Sequence, residues 1–365
     1  MYLTKEEEKI LDGEFGEGIQ KAMELIVALG EINEAERLVS IGSAQVSGVS
    51  YKTIGDAGIE FLKDWSKCKV RVLTTLNPAG IDLENWKKFR ISNSFVEKQK
   101  KIINYFREMG ILISCTCTPY LIGNLPRFGE HIAWAESSAV VFANSVLGAR
   151  SNRESGISAL ACAIVGKTPL YGMHLKENRE AELLVKVSAD LREQADYSAL
   201  GYYIARHFNQ IPRFTNITPT LDELKALSAS LGIGAINMFQ IEGVTPEISG
   251  DGLEKIEIGD REIEEVYEEL SSCEDYDIIC VGCPHCSLEE LRRLKRIKTE
   301  KKVWVYTARQ NKWFFENAIF DTCMVVSPLE DMGIEGIATN SAKAAFYCRN
   351  LSNLDVKFAP IRELL

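Results

Sequence analysis

Cys280, Cys283 and Cys286 stand at C-x2-C-x2-C spacing in the run CVGCPHCSLEEL, with Pro284 and His285 between them. Cysteine thiolates at such intervals hold zinc or an iron–sulfur cluster. Zinc wants four ligands, commonly from a second C-x2-C pair, and the chain has none. His285 could add a nitrogen, but inside the same short loop the geometry would be cramped. A ferredoxin run needs a fourth cysteine at position 290, where Glu290 stands. A self-contained electron-transfer cluster is therefore disfavoured. Spacing alone leaves two readings open: ligands completed from elsewhere in the chain, or unligated thiols in a tight turn. Cys115 and Cys117 form a C-x-C pair in ILISCTC, and alternation along a strand would put both on one face. Simple burial is the competing reading. Cys280 lies within an apolar run and reads as a buried thiol, and Cys68, Cys162, Cys273 and Cys348 have no partner spacing.

Other segments are suited to anions. SAQVSGVS, over residues 43–50, is rich in small residues ahead of an expected helix, where free N–H groups can cradle a carboxylate or phosphate. Arg150, Asn152 and Arg153 cluster in LGARSNRESG after an apolar helix, and Arg suits two-point binding of such groups. Lys343 falls in the first turn of an expected helix, TNSAKAAFY, where a cation opposes the helix dipole unless an anion is bound beside it. Ordinary turns and a solvated lysine explain each segment equally well when taken alone.

Such loops need a frame. Thr4 and Glu7 make a capping box for a helix running toward Leu29. Strands are expected at 37–42, 70–75 and 111–117, with a helix near 94–109 stopped by Gly110. Small apolar residues at 136–147 predict a buried helix, and 177–207 carries helical periodicity broken at Tyr197 and Ser198. Pro212 and Pro219 bracket RFTNITPT, which places a boundary between an α/β domain at 1–212 and a second at 213–365. Beyond it, helices are expected at 220–231 and 260–270, and strands at 233–239, 277–282, 303–308 and 322–327. Ser287 and Glu290 form a further capping box. Alternating strands and helices argue for mainly parallel sheets in three-layer α/β/α domains, with ligands beyond the carboxyl ends of the strands.

Bulk properties narrow the function. The 365 residues are 46% apolar with a net charge of −10, which gives no basic footprint for nucleic acid. No apolar run reaches the roughly 18 residues of a membrane span, and MYLTKEEEKILDGEF lacks a leader's pattern, so a cytoplasmic protein is expected. Ten cysteines there are not a disulfide framework.

Taken together, VSGVS (46–50), TLNPAG (75–80), CTCTPY (115–120), GEHIAWAESSAVVFANSVLGARSNRESG (129–156), GCPHCSLEE (282–290) and the surroundings of Cys323 and Lys343 resemble the large subunit of the aconitase X family. The resemblance spans nearly the whole chain. It implies an aconitase-like fold without the swivelling small domain, and a hydro-lyase. It implies an iron–sulfur cluster, a 4Fe–4S cluster with one open iron, held by Cys117, Cys283 and Cys323. Cys286 is the alternative to Cys283, which is preferred because it leaves its strand directly ahead of the helix cap. It implies substrate contacts at Gly48, Val49, Ser50, Asn77, Pro78, Ser137 and Lys343, with Arg150 bracing or binding, and proton handling near the cluster by Glu136 and His131. A separate small subunit of swivel-domain type is expected to supply the base. The implied reaction is dehydration of (R)-5-phosphomevalonate to trans-anhydromevalonate 5-phosphate, in an archaeal isoprenoid route. Dehydration of cis-3-hydroxy-L-proline, or metal binding without catalysis, are the other readings.

Overall fold

The computed structural model describes residues 1–365. Its strands are β1 (Leu38–Ser40), β2 (Ser43–Val46), β3 (Leu73–Leu76), β4 (Ala133–Trp134), β5 (Lys167–Pro169), β6 (Leu183–Val187), β7 (Pro212–Thr215), β8 (Gln240–Ile241), β9 (Glu254–Ile258), β10 (Ile278–Cys286), β11 (Val303–Thr307), β12 (Gly336–Thr339) and β13 (Asp355–Phe358). They pair into a first sheet ordered β3-β2-β4, a second ordered β8-β7-β6-β9 and a third ordered β11-β10-β12-β13. Every pairing in these three sheets is parallel, and only the small β1–β5 ladder is antiparallel. Helices join the strands, as parallel pairing demands. The expected α/β class with mainly parallel sheets is what forms.

The first sheet has its own apolar core, from Met23 and Ile26 through Val46 to Ile164. The second and third sheets share one continuous core that runs from Val140 and Phe142 through Leu227 and Phe239 to Ile337 and Phe358. The boundary expected at 212/213 falls at the head of β7, which pairs with β6 on one side and β8 on the other. A sheet cannot be divided there without breaking its ladder. The two prolines bracket a strand and a turn inside one unit.

Local chemistry explains which elements were readable. Thr4, Thr220 and Ser287 each cap a helix with a reciprocal Glu three residues on. The helix Asn93–Glu108 ends ahead of Gly110, whose φ of 84° suits only glycine comfortably. Several expectations fail. SAQV is itself β2, so the small-residue loop shrinks to 47–50. Residues 111–117 are not a strand: their one ladder bridge to β3 is at Leu112, and Cys115 has φ 43°. LLVKV, expected as helix, is the buried strand β6, while Gln194–His207 is helical straight through Tyr197 and Ser198. The strand expected at 233–239 is reduced to β8 just beyond it. TCMVVS is a turn, because the Cys323 carbonyl accepts from the N–H groups of Val326 and Ser327.

Candidate active site

The carboxyl ends of the first and third sheets face a common cavity of about 600 Å³. β2 delivers Ser47–Ser50, β3 delivers Asn77 and Pro78, and β4 delivers Glu136 to Ser138. Opposite them stand Cys283 on β10, Cys323 in its turn, and Lys343 in the helix Ala342–Ser352 that follows β12. Cys117 completes the wall from the loop after the Leu112 bridge. No residue of the second sheet or its helices lines this space.

The loop after β2 is built to present N–H groups. Gly48 has φ 72°, and neither it, Val49 nor Ser50 donates a backbone hydrogen bond within the chain. Gln99, fully buried, fixes the loop from behind: its Oε1 accepts from the N–H groups of Tyr51 and Gly80 at 2.9 Å each, and its Nε2 donates to the Val49 carbonyl at 2.8 Å. Ser50 donates across to the Val326 carbonyl at 3.1 Å, tying the first sheet's loop to the Cys323 turn. Unpaired amides at a helix start are a site for an anionic group.

Glu136 is the hub of the polar wall. Its carboxylate accepts from Asn77 Nδ2 and Lys343 Nζ at 2.5 Å each and from Ser138 Oγ at 2.9 Å. Lys343 also donates to Ser137 Oγ at 2.9 Å. Burial would raise the Glu136 pKa, but the Lys343 charge and these hydrogen bonds hold it at about 2. It is an ionised acceptor, held by three donors. Two further cations border the cavity. Lys52 is neutralised by Glu330 at 2.7 Å, whereas Arg153 contacts only the Gly234 carbonyl, at 3.0 Å.

The three thiols come from distant parts of the chain, yet share this one cavity. Burial, then the neighbouring Cys323, Glu136 and Cys283, push the Cys117 thiol up; burial and Cys283 do the same to Cys323. For Cys283, burial wins over the nearby Lys343 charge and lifts the thiol to about 11. Thiols this close must lose their protons to a bound metal to become ligands. No three His, Cys, Asp or Glu side chains close on a single ion anywhere in the chain. The three thiols nevertheless line one cavity, so a group they shared would have to span the space between them.

Family models match the chain in three consecutive stretches: aconitase X first domain over 1–177, second domain over 181–268 and third domain over 276–365. The chain belongs to the aconitase X family. It is 48% identical to the phosphomevalonate dehydratase large subunit of Methanocaldococcus jannaschii, over 100% of this chain and 99% of that one. It superposes on the crystal structure of Thermococcus kodakaraensis aconitase X in its holo-form with a TM-score of 0.93, at 46% identity, covering 100% of this chain and 99% of that chain. It is 33% identical to the cis-3-hydroxy-L-proline dehydratase of Pseudomonas aeruginosa, over 97% of this chain and 67% of that protein. The three aconitase X domains follow the three sheets.

Within this aconitase X fold, Gly48, Val49, Ser50, Asn77, Pro78, Ser137, Glu136, Lys343 and the three cysteines Cys117, Cys283 and Cys323 are brought together. His131 and Arg150 are not. β4 runs from His131 toward Glu136, so the two lie at opposite ends of the strand, and the cavity is at the Glu136 end. His131 and Arg150 sit opposite each other in a bridge. His131 Nδ1 meets His174 Nδ1 at 2.9 Å, and Arg150 donates to the His174 carbonyl at 3.0 Å. Cys286 does not line the cavity; it is buried beside the Lys225–Glu290 ion pair. Cys115 is also buried away from it. Lys52, Arg153 and the supporting Gln99 went unassigned in the sequence. Arg153 lay within a flagged basic segment, but nothing marks a glutamine in the middle of a helix as the clamp of a distant loop.

Proposed function

We propose that this chain is the large subunit of a phosphomevalonate dehydratase. It would take a phosphorylated 3-hydroxy acid, (R)-5-phosphomevalonate, to trans-anhydromevalonate 5-phosphate, with a small swivel-type subunit closing over the cavity. The observation that carries the reading is the convergence of three thiols, an ionised Glu136–Lys343 pair and three unpaired amides on one cavity. The likeness to relatives named phosphomevalonate dehydratase large subunit, at 45–48% identity, supports the substrate over the hydroxyproline dehydratases at 33–34%. The latter are also longer proteins, of which this chain covers only 65–67%.

The residues divide the work as follows. The Gly48–Ser50 amides and Lys343 hold the anionic ends of the substrate, and Arg153, which has no carboxylate partner, adds positive potential at the same cavity. Glu136, ionised and fixed by Asn77 and Ser138, holds Lys343 in place and accepts a hydrogen bond from a substrate hydroxyl. Cys117, Cys283 and Cys323 would hold an iron–sulfur cluster. Such a cluster with three protein ligands supplies an open iron able to polarise a hydroxide leaving group. Glu136 is committed to Lys343, Asn77 and Ser138, so removal of a proton beside a carboxylate calls for another base. That task falls to the small subunit.

The test is anaerobic assay of the purified large and small subunits together, on 5-phosphomevalonate and on cis-3-hydroxy-L-proline. Loss of water from the phosphorylated acid alone is expected. Turnover of hydroxyproline alone would transfer the chain to the other branch of the family. Stoichiometric zinc without acid-labile sulfide would replace catalysis by simple metal binding.

A further inference from the structure

We propose that His285 is the positioning residue for all three thiolates, acting with Thr116 as one unit; this rests on the iron–sulfur reading above. His285 is fully buried, and each of its polar groups is engaged. Its N–H donates to Cys117 Sγ at 3.1 Å, and its carbonyl accepts from Lys225 Nζ at 3.0 Å. Its Nε2 lies 2.9 Å from the Thr322 carbonyl, and its Nδ1 lies 2.9 Å from Thr116 Oγ1.

These contacts assign the tautomer. A carbonyl only accepts, so the proton is on Nε2. Nδ1 must then accept from the Thr116 hydroxyl. With its proton committed, Thr116 Oγ1 accepts in turn, from the Thr118 N–H at 3.2 Å and the Thr118 hydroxyl at 3.1 Å. The Thr116 carbonyl is held separately by Gln45 Nε2 at 3.0 Å. Both ring nitrogens being occupied, His285 cannot be a metal ligand in this arrangement.

The sequence positions of the partners give the arrangement its meaning. Thr116 precedes Cys117, Thr322 precedes Cys323, and His285 itself follows Cys283 by two residues. One imidazole therefore locks together the three segments that bring the thiols: the loop of Thr116, the turn of Thr322 and the end of β10. A hydrogen bond to a ligating sulfur also tunes a cluster's potential, and its length depends on where the ring holds the loop. Partners behind metal ligands typically change metal affinity by about 10–100-fold when removed.

The experiment uses the anaerobically purified two-subunit complex. Iron and acid-labile sulfide are counted, and the rate at which the visible absorption is lost to an iron chelator is followed. The variants are Thr116→Val, Thr116→Ser, His285→Gln and the double variant Thr116→Val with His285→Gln. The metal-free large chains are melted in parallel. Thr116→Val and His285→Gln are each expected to lose cluster about tenfold faster than wild type, the double variant no faster than either, and Thr116→Ser to behave as wild type. Metal-free thermal midpoints are expected to fall modestly in Thr116→Val and His285→Gln, since each breaks a buried hydrogen bond, and not in Thr116→Ser. Loss rates equal to wild type, or a double variant that loses cluster much faster than either single variant, overturn the assignment to His285. A wild-type complex without iron or sulfide overturns the cluster reading itself, and this proposal with it.

Discussion

Cys283 and Cys286 are three residues apart, and only one faces the cavity. The selector is Gly282, with φ 104°, where a Cβ would come within 2.2 Å of the Tyr306 carbonyl oxygen. The backbone bends there as no other residue allows, and the bend turns Cys283 toward Lys343 while Cys286 packs beside Lys225. At this scale the expected outcome is clear-cut. Cys117→Ser, Cys283→Ser and Cys323→Ser should each abolish cluster assembly, measured as iron and sulfide per chain, while Cys280→Ser and Cys286→Ser keep it. Retention in Cys283→Ser with loss in Cys286→Ser would contradict the geometry.

Strand ends decide more than strands do. The loop after β2 is held by Gln99 from the helix Asn93–Glu108, an element that contributes nothing to the cavity itself. Gln99→Ala strands two N–H groups and one carbonyl, each costing about 1–3 kcal/mol when buried and unpaired. A lowered thermal midpoint is expected, with KM for the phosphorylated acid rising more than kcat falls, since the amides it aligns serve binding. The opposite end of β4 carries a pH response instead. Burial, then His131 and the arginines Arg179 and Arg150, hold the His174 pKa down at about 3. An imidazole depressed in the fold is protonated first in the unfolded chain. Its contribution is therefore complete above about pH 6.5 and is lost as pH falls toward about 3. Urea unfolding between pH 7 and 5 should show stability falling with acid. His174→Gln should flatten that slope, by up to about 1.4 kcal/mol per pH unit.

Across the whole molecule, the site exists only where the first and third domains meet. Arg309 pins that junction. It binds Asp321 beside the Cys323 turn, Asp82 at 2.8 Å and Glu84 at 2.7 Å, both of the latter from the first domain. Asp82 and Asp321 are each only 2% exposed. Arg309→Ala leaves two buried carboxylates unpaired, a change that typically costs about 3–5 kcal/mol. Arg309→Lys cannot replace the two-carboxylate fork. A lower urea midpoint and a labile cluster are expected in both, more severely in the alanine variant. The second domain supports from behind. Ser198 Oγ accepts from the Ala342 N–H at 2.9 Å at the start of the helix bearing Lys343, and Lys225 braces the His285 carbonyl.

The sequence by itself determined the class of fold and several of the helix starts. Those depend on local rules: capping boxes such as Thr220–Glu223 and Ser287–Glu290, alternation of strand and helix, and glycine where φ is positive. The aconitase X motifs extended that reading to the cysteines and the amide loop. Tertiary structure decided the rest. That LLVKV is a strand follows from its partners β7 and β9, and that TCMVVS is not follows from a turn closing on Cys323. His131 and Arg150, close in sequence to Glu136, were carried to the far end of β4. Which thiol faces the cavity, which end of a strand a side chain occupies, and which carboxylates share one arginine all depend on contacts between residues far apart in the chain. Local propensity holds no information on those pairings, because their energies arise only once the sheets are packed against one another.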